Sequence, residues 1–260
     1  MHRIALTIAG SDSGGGAGIQ ADLKTFAAFG CYGESVITAV TAQNTLGVHA
    51  VHTVPPGMIE AQLTALANDL PPDACKTGML GTRAVVEQVA SAIATHGWSH
   101  CVVDPVMTAT AGTRLLDDDA VAALRDRLLP LAACVTPNLD EAERLTGRPV
   151  RDPDAMVQSG KALLDLGARS ALVKGGHLAS DILVDVLVTP DTVRRYTRSR
   201  WGTRSMHGTG CTLSAAMTAC LANGKTLEQA VTVAIEYVQK AMRATPGFGR
   251  GAAPLWHGAP

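Results

Sequence analysis

Short apolar runs alternate with helix-patterned stretches from one end of this 260-residue chain to the other. That alternation constrains the fold more than any other feature. Ile4 to Ala9 is a continuous apolar run, and a helix follows with Ile19, Leu23, Phe26 and Ala27 on one face. Gly30 is its stop signal. Ser35 to Thr41, rich in Val and Ile, reads as a second strand. Met58, Ile59, Gln62, Leu63 and Leu66 predict a helix that starts after Pro55-Pro56. Ala74 to Met79 is strand-like, Val85, Val86, Val89 and Ile93 mark a helix, and His100 to Asp104 reads as a buried strand. The series continues with a helix over 117–129, a short strand around Val135, a helix after Asn138, another over 153–167, and a strand at Ala171 to Lys174. Two helices, over 209–223 and 226–244, close the chain.

Parallel strands need long crossover connections, and strands covered on both faces read as unbroken apolar runs. Repeated βα units therefore imply a mostly parallel sheet with helices on both faces. The alternation is expected to break only between 182 and 200. There ILVDVLVT and TVRRYTRSR, separated by Pro190-Asp191, predict an antiparallel hairpin. No internal repeat, low-complexity tract or linker interrupts the pattern, so one domain spanning 1–260 is expected.

Composition limits the function classes. Hydrophobic residues reach 47% but aromatic ones only 3%, so a sizeable core must be aliphatic. Lys+Arg 22 against Asp+Glu 23 leaves a net charge of -1, which lacks the basic footprint of a nucleic-acid binder. No apolar run approaches the ~18 residues of a membrane span. The N-terminus enters a strand-like run directly, without a signal stretch, and a cytoplasmic location is expected. The six cysteines form no CxxC, and they read as reduced thiols. The eight histidines lack metal-ligand spacing; His49 and His52 are three apart with no third ligand near them in sequence.

In an open parallel sheet, ligands bind beyond the carboxyl ends of the strands. Past the expected strand ends lie Gly10-Ser11-Asp12, Gln43-Asn44, Gly78-Met79, Asp104-Pro105, Thr136-Pro137-Asn138 and Lys174-Gly175-Gly176. The glycines of Gly10 to Gly18 permit close backbone approach to a ligand at a helix start. No Gly-Lys-Ser/Thr follows them, so the loop is not a Walker A loop. Gly16 to Ala21 fits the permissive GxGxxG/A dinucleotide pattern, but the second strand ends in Gln43-Asn44 rather than in an acid for a ribose. Gly208-Thr209-Gly210-Cys211 opens a strong helix, where backbone amides and the helix dipole suit an anion. The same field is expected to lower the pKa of Cys211 and favour its thiolate, a proton acceptor beside an anion hole. The bland readings are a small residue packing a helix start for Cys211, a solvated first-turn residue for Asp22 and an ordinary helix-start carboxylate for Glu141.

Seven blocks in order carry a family resemblance over essentially the whole chain. They are Ala9 to Asp22 (AGSDSGGGAGIQAD), Thr41 to Thr45 (TAQNT), Lys76 to Met79 (KTGM), Val103 to Met107 (VDPVM), Thr136 to Glu141 (TPNLDE), Leu172 to His177 (LVKGGH) and His207 to Cys211 (HGTGC). Together they resemble the ribokinase-like superfamily, and within it the hydroxymethylpyrimidine/phosphomethylpyrimidine kinases of thiamine biosynthesis. The resemblance implies a three-layer α/β/α sandwich and a two-step kinase using ATP and Mg²⁺. Such an enzyme phosphorylates 4-amino-5-hydroxymethyl-2-methylpyrimidine and then its monophosphate. By similarity, Gly10, Asp22 and Gln43 would hold the pyrimidine, with Met79 and Val106 lining its slot. Lys174 would reach the ATP phosphates, with Asn138 and Asp104 in the nucleotide network. Glu141, from an NxxE block, and Asp104 would serve Mg²⁺. Gly208, Thr209 and Gly210 would form the anion hole, with Cys211 as the base where sugar kinases of the superfamily carry aspartate. Thr203 and Ser205 are noted near the nucleotide without being assigned. A homodimer is implied. The rivals are pyridoxal kinase within the fold and, from other classes, a dinucleotide-binding protein or a non-catalytic ATP sensor.

Overall fold

The computed structural model describes residues 2–109, 112–176, 182–201 and 206–258. Thr203 and Ser205 lie outside the described residues. The apolar run at the start forms β1 (Ile4–Ala9), and α1 (Gly18–Ala28) buries Ile19, Ala21, Asp22, Thr25 and Phe26. The expected second strand divides in two. β2 (Tyr32–Ile37) runs parallel to β1, and the chain then bends at Thr38. It continues as β3 (Ala39–Asn44), which leaves the main sheet and pairs antiparallel with β4 (Gly47–Thr53). Burial in β3 alternates between Ala39, Val40 and Thr41. Alternation of that kind suits a strand with one wet face rather than a central parallel strand. The break in βα alternation is therefore not confined to 182–200, and Gln43 sits in a two-stranded flap rather than at the end of a main-sheet strand.

The crossovers follow as expected. α2 (Pro56–Asp69) leads to β5 (Ala74–Thr77), and α3 (Arg83–His96) begins at Thr82, whose hydroxyl accepts from Val85 N, and ends at left-handed Gly97. β6 (Cys101–Val103) precedes α4 (Asp118–Ala123). The single helix expected over 117–129 instead widens to a π turn at Leu124–Leu128 and tightens to 3₁₀ at Leu129–Leu131, where Pro130 removes a donor. β7 (Cys134–Val135), α5 (Leu139–Thr146), α6 (Pro153–Asp165) and β8 (Ala171–Lys174) continue the series. β9 (Ile182–Val188) and β10 (Val193–Ser199) form the expected hairpin. The remaining elements are β11 (Met206–His207), α7 (Thr209–Ala222), α8 (Leu227–Arg243) and β12 (Ala253–Pro254).

The eight-stranded sheet has the order β10-β9-β8-β7-β6-β5-β1-β2, parallel except where β9 joins β8 and β10. Side chains along a strand alternate between faces, and the cores divide accordingly. Leu6, Ile8, Cys101, Val103, Ala171 and Val173 point to the face covered by α2 to α6. Ala5, Val102 and Leu172 point to the face covered by α1, α7 and α8. These are the three layers of an α/β/α sandwich. α7 is buried nearly all round, from Thr212 to Cys220 without interruption, which explains its Ala-, Thr- and Cys-rich sequence. No described helix is long and apolar enough to cross a membrane.

Candidate active site

Corners past the ends of β1, β5, β6, β7 and β8 meet the start of α7 at one edge of the sheet. The Gly-rich loop is organised from within by Asp12, which is 1% exposed. Its Oδ1 accepts from Gly14 N at 2.8 Å, and its Oδ2 accepts from Gly16 N and Ala17 N at 3.0 and 2.8 Å. His207 Nε2 lies 3.0 Å from the same Oδ2. Burial alone would push the Asp12 carboxyl up, but the His207 bond and these amides hold it below the usual carboxylate range. The loop amides that a dinucleotide pyrophosphate would need are thus spent on Asp12, which disfavours that rival.

Gly208, at the N-cap of α7, has φ 85°, and a Cβ there would lie 1.8 Å from Gly16 O. Only glycine allows the two glycine loops to touch in this way. Among the described residues no side chain caps α7, so the first-turn amides of Thr209, Gly210 and Cys211 are available to an anion. A Cβ on Gly210 would lie 3.2 Å from Lys174 Nζ and 3.8 Å from Asp104 Oδ2. The first turn of α7, the lysine and the carboxylate therefore share one spot.

Asp104 is 2% exposed and accepts from Lys174 Nζ at 3.0 Å and from Thr136 Oγ1 and Ser214 Oγ at 3.2 Å each. Burial would raise its carboxyl, yet the Lys174 and Lys76 charges hold it below the usual range. Lys174 in turn is held above its usual range, against its burial, by Asp104 and Glu141. Asn138 N donates to Glu141 Oε2 at 2.7 Å and Glu141 N donates to Asn138 Oδ1 at 2.9 Å, a capping box that starts α5. Burial pushes the Glu141 carboxyl up to about 7; Lys174 opposes that rise and Asp104 adds to it.

Asp22 is not a solvated first-turn residue. It is fully buried, with Thr7 Oγ1 donating to Oδ2 at 2.7 Å and Lys76 Nζ donating to Oδ1 and Oδ2 at 2.9 and 3.0 Å. Lys76 is also fully buried, and burial would lower its ammonium, but the Asp22 carboxylate foremost holds it above its usual range. Cys211 differs from the expectation of a lowered pKa. Burial pushes its thiol up to about 11, and the Asp22 and Asp104 carboxylates add to that, while Lys76 and the Gly18 amide act the other way. The helix-end field is outweighed by burial and by the two carboxylates beside this half-buried thiol.

Among the expected pyrimidine residues, Gly10 and Met79 meet: a Cβ on Gly10 would lie 3.1 Å from Met79 Sδ. Val106 is half-buried two residues past Asp104. Gln43 lines a cleft of about 240 Å³ between the flap and the chain at Gly251-Ala252, together with His207, and Gly10 and Met79 do not line it. Asp12, Lys76 and His207 take no role from the sequence motifs alone. For Lys76 a signal was present, since a lysine inside an apolar strand demands a buried counter-charge.

The description Phosphomethylpyrimidine kinase belongs to the family model that matches residues 12–256. A hydroxymethylpyrimidine/phosphomethylpyrimidine kinase of Rhizobium meliloti (strain 1021) is 50% identical over 99% of this chain and 97% of its own length. The thiamine biosynthesis bifunctional protein ThiED of Geobacter sulfurreducens is 46% identical over 97% of this chain, which spans 51% of that longer protein. Among solved structures, an ADP complex of Bacillus subtilis pyridoxal kinase superposes with a TM-score of 0.93 at 37% identity, covering 100% of this chain and 98% of that one. Matched along nearly all of its length, the chain belongs to the phosphomethylpyrimidine kinase family.

Proposed function

We propose that this chain, acting as a single domain, transfers the γ-phosphoryl group of ATP to the hydroxymethyl oxygen of 4-amino-5-hydroxymethyl-2-methylpyrimidine, and then phosphorylates the monophosphate to the diphosphate for thiamine biosynthesis. The observation that carries the reading is the convergence of the uncapped α7 turn, Lys174, Asp104 and Cys211 at one spot. Phosphoryl transfer asks a protein mainly for positioning and charge neutralisation. Lys174 neutralises the transferring group and the α7 amides hold its oxygens. Cys211 stands beside them as acceptor for the hydroxyl proton. On the pyrimidine side, Gln43 would come from the flap and Gly10, Met79 and Val106 from the sheet edge; Asp22, expected from the resemblance to hold the ring, is instead sealed against Lys76 and would act through that lysine.

Among the described residues there is no cluster of three or more metal-ligating side chains. That suits Mg²⁺, which uses one or two carboxylates, waters and the substrate's phosphates. Glu141, kept out of water near the Asp104 carboxylate, and Asp104 itself are the carboxylates available. When bound, the ion neutralises phosphate charge. Glu141→Gln keeps a carbonyl oxygen for the Asn138 amide and removes only the charge. It is expected to raise the Mg²⁺ concentration for half-maximal rate and to lower kcat, with Tm nearly unchanged. A magnesium titration matching the parent chain would leave Glu141 as a cap alone.

The test of the whole reading is a panel of hydroxymethylpyrimidine, its monophosphate and pyridoxine with ATP and Mg²⁺, run on the parent chain and on Gln43→Ala. Turnover of both pyrimidines is expected, and Gln43→Ala should weaken pyrimidine binding by about 1–3 kcal/mol for a lost hydrogen-bond pair, with ATP affinity intact. The likeness to a pyridoxal kinase supports pyridoxine as a second substrate, and exclusive turnover of pyridoxine would replace the main reading. A homodimer in the cytoplasm completes the proposal. Val40, Leu46 and Val51 on the flap, each exposed, offer apolar surface for a second copy.

A further inference from the structure

The contact between Gln43 and His207 fixes which way the Gln43 amide must lie. Gln43 Nε2 lies 3.0 Å from His207 Nε2, and the same ring nitrogen lies 3.0 Å from Asp12 Oδ2. Asp12 is buried, takes three loop amides and is held ionised, so a ring nitrogen at that distance must bring it a proton. A nitrogen bearing that proton has no lone pair in the ring plane, and it cannot accept from the Gln43 amide. A second conflict lies at the other end of the same side chain. Thr41 Oγ1 donates its single proton to Ser11 O at 2.8 Å, yet it also stands 3.4 Å from Gln43 Oε1, which only accepts.

A half-turn of the amide exchanges oxygen and nitrogen without changing its shape, so hydrogen bonding alone decides between the two orientations. The half-turned amide removes both conflicts together. Its oxygen then shares the His207 Nε2 proton with Asp12, and its NH₂ group donates to Thr41 Oγ1.

We infer that His207, locked by Asp12, is the positioning residue that sets the orientation of the Gln43 amide and with it the edge of the substrate ring that is read. The inference rests on the reading that Gln43 faces the pyrimidine. An aminopyrimidine edge carries a ring-nitrogen acceptor beside an amino donor, complementary to an amide. With the amide so turned, the exocyclic amine faces the His207 side and the ring nitrogen faces the Thr41 side. The same proton ties three segments together: the Gly-rich loop through Asp12, the flap through Gln43, and the α7 turn through the residue preceding Gly208.

Two measurements test this. In the substrate-free chain at neutral pH, nitrogen NMR of the His207 ring reads the Nε2 proton directly, whatever the substrate. A protonated Nε2, with no nitrogen–nitrogen coupling to Gln43 across the contact, is expected. An unprotonated Nε2 coupled to the Gln43 amide nitrogen would overturn the inference. The second measurement compares His207→Ala with His207→Gln, whose amide N–H groups can reach where the ring Nε2–H stood. His207→Ala should raise KM for hydroxymethylpyrimidine about tenfold and narrow its preference over pyridoxine, with KM for ATP unchanged. His207→Gln should restore the preference. Wild-type selectivity in a folded His207→Ala variant would also overturn the inference. Absence of pyrimidine turnover in the parent chain would instead strike the functional reading and leave the NMR result to stand by itself.

Discussion

Cys211→Ala is expected to lower kcat for phosphorylation of the hydroxymethyl group by about 10²–10⁴, the usual contribution of a positioned base, while the second transfer loses much less. A hydroxymethyl oxygen is a poor nucleophile until its proton has somewhere to go, whereas a phosphate nucleophile is already ionised. The anion hole is backbone and survives the change. The thiol's position at about 11 adds a pH signature. Below that value the thiolate fraction rises about tenfold per pH unit, so the first step should keep accelerating from pH 7 toward pH 9. Cys211→Asp should recover part of the first step and flatten that slope, because even a carboxylate raised by the same burial and neighbours ionises well below the thiol. Rates of the two steps measured separately against pH in the parent, Ala and Asp chains decide the matter. Near-normal first-step turnover in Cys211→Ala would reduce Cys211 to a packing residue.

Lys76→Met is expected to be the most destabilising single change at the site. Asp22 and Lys76 have no exposed side-chain surface, and each answers the other's charge. Removing the ammonium strands a carboxylate away from water, and breaking a buried pair in this way costs about 3–5 kcal/mol. In a chain of this size that corresponds to roughly 6–20 °C in Tm. The double variant Asp22→Leu with Lys76→Met should recover most of the stability, since buried ion pairs replaced by apolar groups are often neutral. It should not recover activity, because Lys76 also answers the charge of Cys211 and Asp104. Thermal unfolding and first-step turnover of both variants test this. An unchanged Tm in Lys76→Met would mean that the pair is not sealed from water.

The sandwich was legible because burial of a parallel sheet leaves an unbroken mark. Strands such as Cys101–Val103 and Ala171–Lys174 are covered on both faces, so their apolar runs and the helices between them identify the layers without coordinates. The blocks at the sheet edge were legible for a related reason. Glycines such as Gly208 are required by close backbone approach, and that requirement leaves one residue type. The departure of β3 into a flap was not legible, because Ser35 to Thr41 carries strand-forming residues throughout and only pairing partners decide where one sheet ends and another begins.

Electrostatics was the part that only tertiary structure decided. Sequence alone places Cys211 at a helix start, where the local field favours a thiolate. Folding then brings Asp22 from α1 and Asp104 from the end of β6 up beside it, and with burial they move the thiol the other way. Lys76 became a site residue only when β5 was set against α1, and His207 became a partner of Asp12 and Gln43 across 195 and 164 residues of chain. Backbone form and layer order follow from local pattern and burial, which each residue carries with it. Ionisation and amide orientation depend on distant charges and single protons, and those are set by which segments the fold brings within 3 Å of one another.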